Sequence, residues 1–292
     1  MRSGASSPDP SEGDSSPQLK PLVAGVASAL SPMVRRILGP NPGAMTGPGT
    51  NTYLIGIDEV AVVDPGIEDP AHLDAILGCG GDRIRWILCT HTHPDHAPGA
   101  TALKAATGAP VLAFESRDGL EVDEAIGDRH VVVATEFRLT AVHTPGHASN
   151  HLCFYLRQEA TLFSGDHIMQ GSTVVIGPPD GDMGAYLASL DKVRALRLKA
   201  IAPGHGHLIE DPYGAIDDYV AHRHQRERQV LDALAAGDTA VASIVDRLYV
   251  GLIDELVPRA RQSVHAHLRK LVAEGRVTSS DADDESSDWA AA

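Results

Sequence analysis

The segment that most constrains this chain is a run of metal-binding residue types, Thr90-His91-Thr92-His93-Pro94-Asp95-His96. It follows a short apolar run typical of a buried strand, Ile84-Arg85-Trp86-Ile87-Leu88-Cys89, so we expect its side chains on a loop at a sheet edge. His91 and His93 are spaced to converge on one ion, whereas Asp95 and His96 can turn to a second. Pro94 stiffens the loop between these two pairs. The segment therefore predicts a site for two metal ions.

Three more ligand types follow downstream, at His147, Asp166 and His205, each in a turn that contains glycine. The predicted strands before these turns are residues 137–143, 161–164 and 200–202. Glycine lets the backbone approach closely and take unusual φ angles at such turns. We therefore expect three strand ends to point at one place.

Imidazole and carboxylate ligands without thiolate suit zinc or a neighbouring divalent ion such as manganese or iron. Two such ions about 3.5 to 4 Å apart can hold a shared hydroxide at neutral pH. A histidine-rich surface loop, or core histidines satisfied by hydrogen bonds, would explain any one of these residues but not the whole set. The pattern favours a metal-dependent hydrolase.

The strings HTHPDH, TPGH, SGD and PGHGH, in that order, resemble the metallo-β-lactamase superfamily over residues 40–210. The resemblance implies an α+β fold, a four-layer αββα sandwich with its metals at one sheet edge. It implies two zinc ions, the first bound by His91, His93 and His147, the second by Asp95, His96 and His205, with Asp166 bridging both. Asp95 and Asp166 are then the catalytic candidates, around a metal-bridging hydroxide. Ala97-Pro98-Gly99 departs from the usual Gly-Gly, which loosens the match to thioesterase members.

A narrower resemblance covers residues 38–277 and includes Gly49-Thr50-Asn51-Thr52, Gly171-Ser172-Thr173-Val174 and residues 221–228. These stretches are similar to the β-lactamase-like protein 2 group. That likeness implies a zinc endoribonuclease acting on single-stranded RNA, although many bacterial relatives are simply called metallo-hydrolases.

Two further predictions concern residues around the metals. In the superfamily, the aspartate equivalent to Asp64 accepts the free N–H of a ligand histidine and fixes its tautomer, although a plain Asp-Pro-Gly turn explains the local sequence equally well. Asn51, Ser172 and Thr173 are candidates for polar groups of the substrate pocket. Ordinary turn hydroxyls and amides explain them as well.

The chain has 292 residues, 43% of them hydrophobic, which is enough for one large domain and a small one. We predict a disordered segment at 1–20, a catalytic domain at 21–215, a winged-helix-like domain at 216–278 and a disordered acidic tail at 279–292. The N-terminal segment lacks the pattern of a signal peptide, no run approaches the roughly 20 apolar residues of a membrane span, and the three cysteines are odd in number. These features predict reduced thiols and a cytoplasmic protein without a membrane partner.

After Leu208 the sequence predicts helices at residues 219–234, 240–248 and 259–274, and Gly275-Arg276-Val277 resembles the start of a wing. The third helix has an apolar face of Ala260, Val264, Leu268, Leu271 and Val272. Its polar residues Arg259, Arg261, His265 and Arg269 could meet phosphates, but a solvated face would carry the same residues. Because the net charge is −15, a packing role, or a homodimer, is the default for this module.

Four functions therefore stay open. The first is a dinuclear zinc hydrolase acting on RNA, although an aromatic content of 4% disfavours a long base-stacking platform. The second is a thioesterase or lactonase of the glyoxalase II kind, acting on a small molecule. The third is a mononuclear iron persulfide dioxygenase, which needs only one metal. The fourth is a non-catalytic DNA-binding regulator, which leaves the complete ligand set unexplained.

Overall fold

The computed structural model describes residues 21–292, so the predicted disordered segment at 1–20 lies outside the described residues. Two β-sheets form the centre of the larger part of the chain. The first sheet contains β1 (Ser28–Ala29), β2 (Val34–Leu38), β3 (Asn51–Ile55), β4 (Val60–Val63), β5 (Ile84–Leu88), β6 (Val111–Ala113) and β7 (Glu124–Ala125), in that order. Neighbours are antiparallel from β1 to β4 and parallel from β4 to β7.

The second sheet has the spatial order β12-β11-β10-β9-β8. Its strands are β8 (Val131–Val133), β9 (Arg138–His143), β10 (Leu152–Leu156), β11 (Thr161–Gly165) and β12 (Ala200–Pro203). All neighbours are antiparallel except β11 and β12, which are parallel and are connected through α3 (Met183–Arg194). The strands predicted at 137–143, 161–164 and 200–202 are therefore present within one residue at either end.

Side-chain alternation along β4 shows how the layers form. Its four residues are all buried. Ala61 and Val63 face the core between the two sheets, whereas Val60 and Val62 face a second core on the other side of the first sheet, the outer core. The outer core packs against α1 (Pro70–Gly80) and α2 (Gly99–Thr107). Since consecutive strand residues point to opposite faces, an uninterrupted apolar run is what a doubly covered strand requires.

The outer face of the second sheet is covered by α3 and by α4 (Pro212–Ala235). Tyr186 and Leu190 of α3 and Ile216 and Tyr219 of α4 pack there against Leu162 of β11. The order of layers is helices, sheet, sheet, helices. This confirms the predicted α+β class and the αββα sandwich.

The C-terminal module contains α5 (Val241–Leu248), α6 (Val257–Ala273) and a two-stranded sheet of β13 (Val277–Ser279) and β14 (Trp289–Ala291). Short 3-10 helices occupy Gly81–Arg83 and Asp254–Leu256. Four of the five residues predicted for the apolar face of α6 are buried, and Val272 is partly buried. The predicted boundary between residues 215 and 216 falls inside α4, which begins at Pro212 because the Asp211 carboxylate accepts a hydrogen bond from the Gly214 amide. One continuous helix therefore joins the two parts.

The prediction of a disordered tail at 279–292 is wrong for the last residues. Trp289 is 1% exposed in the core of the C-terminal module, and β14 pairs with β13 across the wing. The acidic residues before it also have partners, since Glu285 lies 2.6 Å from Arg261 and Asp283 lies 2.6 Å from Arg269. Burial of one indole ring orders a segment whose composition alone indicates disorder.

Within residues 21–292, no helix combines the length and apolar character needed to cross a bilayer. Cys89 and Cys153 are buried and Cys79 is partly buried, and all three are free thiols. Burial raises the pKa of Cys89, and it raises the pKa of Cys153 to about 12. Thiols held protonated in this way are poor nucleophiles and poor metal ligands.

Candidate metal centre

Three histidines form a first group at the edge where β5 and β9 end. His91 Nε2 and His147 Nε2 each lie 3.0 Å from His93 Nδ1, and the three side chains are arranged to hold one ion. His147 Nδ1 donates to the Val175 carbonyl at 2.7 Å. His91 Nδ1 lies 3.0 Å from the Thr90 hydroxyl, which itself donates to Asp64. Because their outer nitrogens carry the proton, His91 and His147 both direct Nε2 lone pairs at the same point.

A second group combines carboxylates and imidazoles, and comprises Asp95, His96, Asp166 and His205. His205 Nε2 lies 3.3 Å from Asp95 Oδ2 and 3.3 Å from Asp166 Oδ1, while its Nδ1 donates to the Gly49 carbonyl. Asp166 also reaches toward the first group, since its Oδ2 is 3.7 Å from His147 Nε2. Asp166 is thus the one residue of this group placed between both, where the resemblance puts the bridging ligand.

Asp64 lies behind both groups and is 2% exposed. Its carboxylate accepts hydrogen bonds from the Thr90 amide at 2.7 Å and the Thr90 hydroxyl at 2.8 Å, and it lies 2.9 Å from His96 Nδ1. Its φ of 50° is in the left-handed region, which costs a non-glycine residue about 1–3 kcal/mol. Of the two alternative interpretations of the sequence, the contact with a ligand histidine is present, whereas residues 64–66 do not form a hydrogen-bonded turn.

The donor set fits divalent cations. His96 Nε2, His205 Nε2 and Asp166 Oδ1 are buried and have no hydrogen-bond partner among the described residues. In the first group, a neutral His93 can donate to only one of the two nitrogens that face its Nδ1. Lone pairs that face each other in a buried space repel unless a proton or a metal cation lies between them. Both groups are therefore able to bind metal ions.

The imidazole pKa values shift down for His91 and His93 of the first group and up for His96 and His205 of the second. Burial and the neighbouring histidines hold the pKa of His91 well below its ordinary value, and burial followed by His147 lowers that of His93 to about 4. Burial also lowers the pKa of His205, but the Asp166 and Asp95 carboxylates outweigh it and raise the pKa to about 9. His96 and His205 in turn hold the pKa of Asp166 well below its ordinary range, against the opposing effect of burial.

Two glycine turns are required by the close approach of the ligand loops. A Cβ at Gly204 would lie 2.8 Å from Asp166 Oδ1 and 2.8 Å from His96 Cε1. A Cβ at Gly165, where φ is +48°, would lie 2.6 Å from the Thr90 hydroxyl. The prediction that glycine allows these strand ends to converge is therefore met by the geometry.

A cavity of about 620 Å³ opens above the two groups. Its floor is formed by His93, Asp95, His147 and Asp166. Ser172 and Thr173, predicted as pocket residues, line its wall.

Asn51 does not line this cavity, and its assignment as a pocket residue is wrong. It is fully buried, and its side-chain amide donates to the carbonyls of Pro203 and Gly206 at 2.9 Å each. Because these carbonyls flank His205, the amide holds the loop that carries this ligand.

Several supporting residues were missed by sequence reasoning. His151 is buried, and its Nε2 accepts the Asp166 amide at 3.2 Å. From α4, the Tyr219 hydroxyl bonds to the backbone of Met169, and Arg223 donates to the Val174 carbonyl. Val174 precedes the residue that orients His147. No local pattern marks these contacts, since each joins residues 15 to 50 positions apart.

Comparison with known families agrees with this geometry. Residues 45–205 match the model of the metallo-beta-lactamase superfamily, and residues 240–289 match the beta-lactamase associated winged helix domain. The second match extends to Trp289, the first residue of β14. It confirms the predicted winged-helix module.

The chain is 35% identical to a beta-lactamase-like protein 2 homolog of Drosophila melanogaster, over 88% of this chain and 93% of that protein. It is also 33% identical to an atrochrysone carboxyl ACP thioesterase of a Cryptosporiopsis species, over 70% of this chain and 64% of that protein. A beta-lactamase domain protein from Burkholderia ambifaria has the same fold with a TM-score of 0.80, at 21% identity over 94% of this chain and 95% of the other. With a superfamily match over more than half of its length and both ligand groups in place, the chain belongs to the metallo-beta-lactamase superfamily, a family of hydrolases.

Proposed function

We propose that this hydrolase binds two zinc ions and cleaves single-stranded RNA with a water-derived nucleophile. The observation that carries the proposal is the convergence of seven ligand side chains in two groups beneath one open cavity, whose floor four of them form. A regulator that only bound DNA would not need these converging ligand side chains. A mononuclear iron dioxygenase would leave the second group without a role.

Bound zinc lowers the pKa of a coordinated water to about 7 and stabilises charge that develops on the substrate. Residues of the chain hold the reacting groups in position. Asp166 reaches both groups and can align the nucleophile between them. Asp95 is partly exposed at the cavity floor, so its carboxylate can take up or return a proton there.

Support for RNA comes from the likeness to the β-lactamase-like protein 2 group, which covers most of the chain. None of the described residues that line the cavity is aromatic. A strand would therefore be held through its backbone and not by stacked bases, and we expect little base preference.

A thioester is the second candidate substrate. One relative is named an acyl carrier protein thioesterase, and the cavity walls contain Met45, Val174, Val175 and Leu256, which could contact an acyl chain. The same nucleophile can attack a carbonyl carbon or phosphorus, so the residues of the cavity wall select between the two substrates.

A turnover panel with the zinc-loaded protein tests the proposal. We expect cleavage of a single-stranded RNA oligonucleotide at a rate at least about tenfold above that of S-lactoylglutathione, a lactone and a cephalosporin. Faster turnover of a thioester would replace RNA by the second candidate. Oxygen consumption with a persulfide, together with a single bound iron, would contradict the hydrolase proposal.

A further inference from the structure

We infer that Arg259 of α6 forms a subsite for a phosphate group of the substrate, in the same cavity as the metal groups. The inference rests on the proposed hydrolase function and adds a binding group contributed by the C-terminal module. No residue of the ligand groups takes part in it.

Arg259 lies at the cavity, on the side opposite the wall formed by segment 172–177. The cavity has the metal groups as its floor, the segment 172–177 as one wall, and Leu256, Arg259 and Gln262 of the C-terminal module on its far side. A substrate whose scissile bond lies over the floor would therefore have another of its groups next to α6.

Arg259 has no acidic partner among the described residues. Its neighbours on the same helix are neutralised by the acidic segment, Arg261 by Glu285 and Arg269 by Asp283, each at 2.6 Å. Among the described residues, no carboxylate oxygen lies within 4 Å of Arg259. The acidic segment therefore removes most of the basic surface predicted for α6 and leaves one arginine at the cavity.

The surroundings of Arg259 orient it without neutralising it. Its Nη1 donates to the Gln262 side-chain carbonyl at 3.1 Å, and Gln262 lies against Gly177 on the opposite wall. Asp180 also lines the cavity, but it is paired with Arg117 at 2.9 Å. The remaining N–H groups of the Arg259 guanidinium are available for two oxygens of one phosphate.

Phosphate is the anion that both candidate substrates carry. RNA carries it in every backbone linkage, and a carrier-bound thioester carries it in the phosphopantetheine arm. The subsite would act through binding, since Arg259 lies across the cavity from the reacting atoms. It is a positioning residue.

Two pairs of binding probes separate these sources. The first pair is a five-nucleotide deoxythymidine strand and the same strand with neutral methylphosphonate linkages. The second pair is coenzyme A and pantetheine. Calorimetry with the zinc-loaded protein compares wild type, Arg259→Ala and the matched control Arg261→Ala, whose guanidinium is already paired with Glu285.

We expect Arg259→Ala to weaken the phosphate-bearing member of one pair about tenfold, with less than about twofold change for its neutral counterpart and for the control variant. For the nucleic-acid pair, the slope of the logarithm of the binding constant against the logarithm of salt concentration should also decrease by about the amount that one phosphate contact contributes. The pair that responds identifies the source of the phosphate.

The inference is overturned if wild type prefers neither phosphate-bearing probe, or if Arg259→Ala weakens charged and neutral probes equally. These outcomes do not depend on turnover. If no substrate of the turnover panel is cleaved but Arg259→Ala still weakens binding of a phosphate-bearing probe, the proposed function is contradicted and the inference is not.

Discussion

The two ligand groups lie on one cavity floor, but they are electrostatic opposites. The first offers three imidazoles and no carboxylate, held by a hydroxyl and a backbone carbonyl. The second offers two carboxylates with two imidazoles, and one of these imidazoles is backed by a third carboxylate, Asp64. A metal that enters the second group must therefore displace protons from His96 and His205, whereas His91 and His93 of the first group carry no such proton at neutral pH.

The largest expected effect is from Asp166→Asn, since Asp166 is shared by both groups. Removal of its charge should lower kcat by about 10³-fold and reduce the metal content of the second group, with an unchanged circular dichroism spectrum. Asp180→Asn is the matched control, because Asp180 lines the same cavity and belongs to neither group. Equal losses in both variants would mean that cavity charge in general, and not the shared ligand, matters.

The second prediction concerns pH. In the metal-free protein His205, with a pKa of about 9, is protonated at pH 7, whereas His93, with a pKa of about 4, is not. Metal affinity of the second group should therefore rise about tenfold per pH unit for each proton displaced, until the pH passes about 9. We expect the affinity of the first group to depend less on pH, because burial holds the pKa values of His91 and His93 below their ordinary range. Calorimetry at pH 7 in buffers of different ionisation enthalpy measures the proton release, and equal release by both groups would remove the contrast.

Asp64→Asn should lower the metal affinity of the second group more than that of the first. The variant loses the negative charge that orients His96, and loss of such a supporting group costs about 10–100-fold in metal affinity. Thr90→Val, which removes the neutral support of His91, should weaken the first group by only a few-fold. Metal titration with a chromophoric competitor measures both, and the reverse order would contradict the charge argument.

The smallest effect is expected from Arg223→Lys in α4. Arg223 is 2% exposed, and its guanidinium holds the Val174 carbonyl next to the residue that orients His147. The shorter reach of lysine should raise metal release from the first group about twofold to fivefold, with no change in the second. Stopped-flow chelation resolves the two rates, and Arg228→Lys on the same helix is the control.

Local sequence could indicate the ligands, because His91 to His96 directly follow a strand and the other three ligands follow a strand and a glycine turn, and these features act over a few residues. His205 and Asp166 thus lie where the pattern put them. Contacts between distant segments were not predictable in this way. Asn51 has the sequence context of a polar turn residue, yet its amide is used by a loop more than 150 positions away. Trp289 likewise orders an acidic segment through burial that no composition reveals.

We expect the two groups to hold two ions, one in each. Anomalous diffraction at the zinc edge from zinc-loaded crystals would locate them. We expect two peaks about 3.5 to 4 Å apart, with Asp166 next to both. A single peak at the three histidines, with Asp95 and His205 still in contact with each other, would contradict the account.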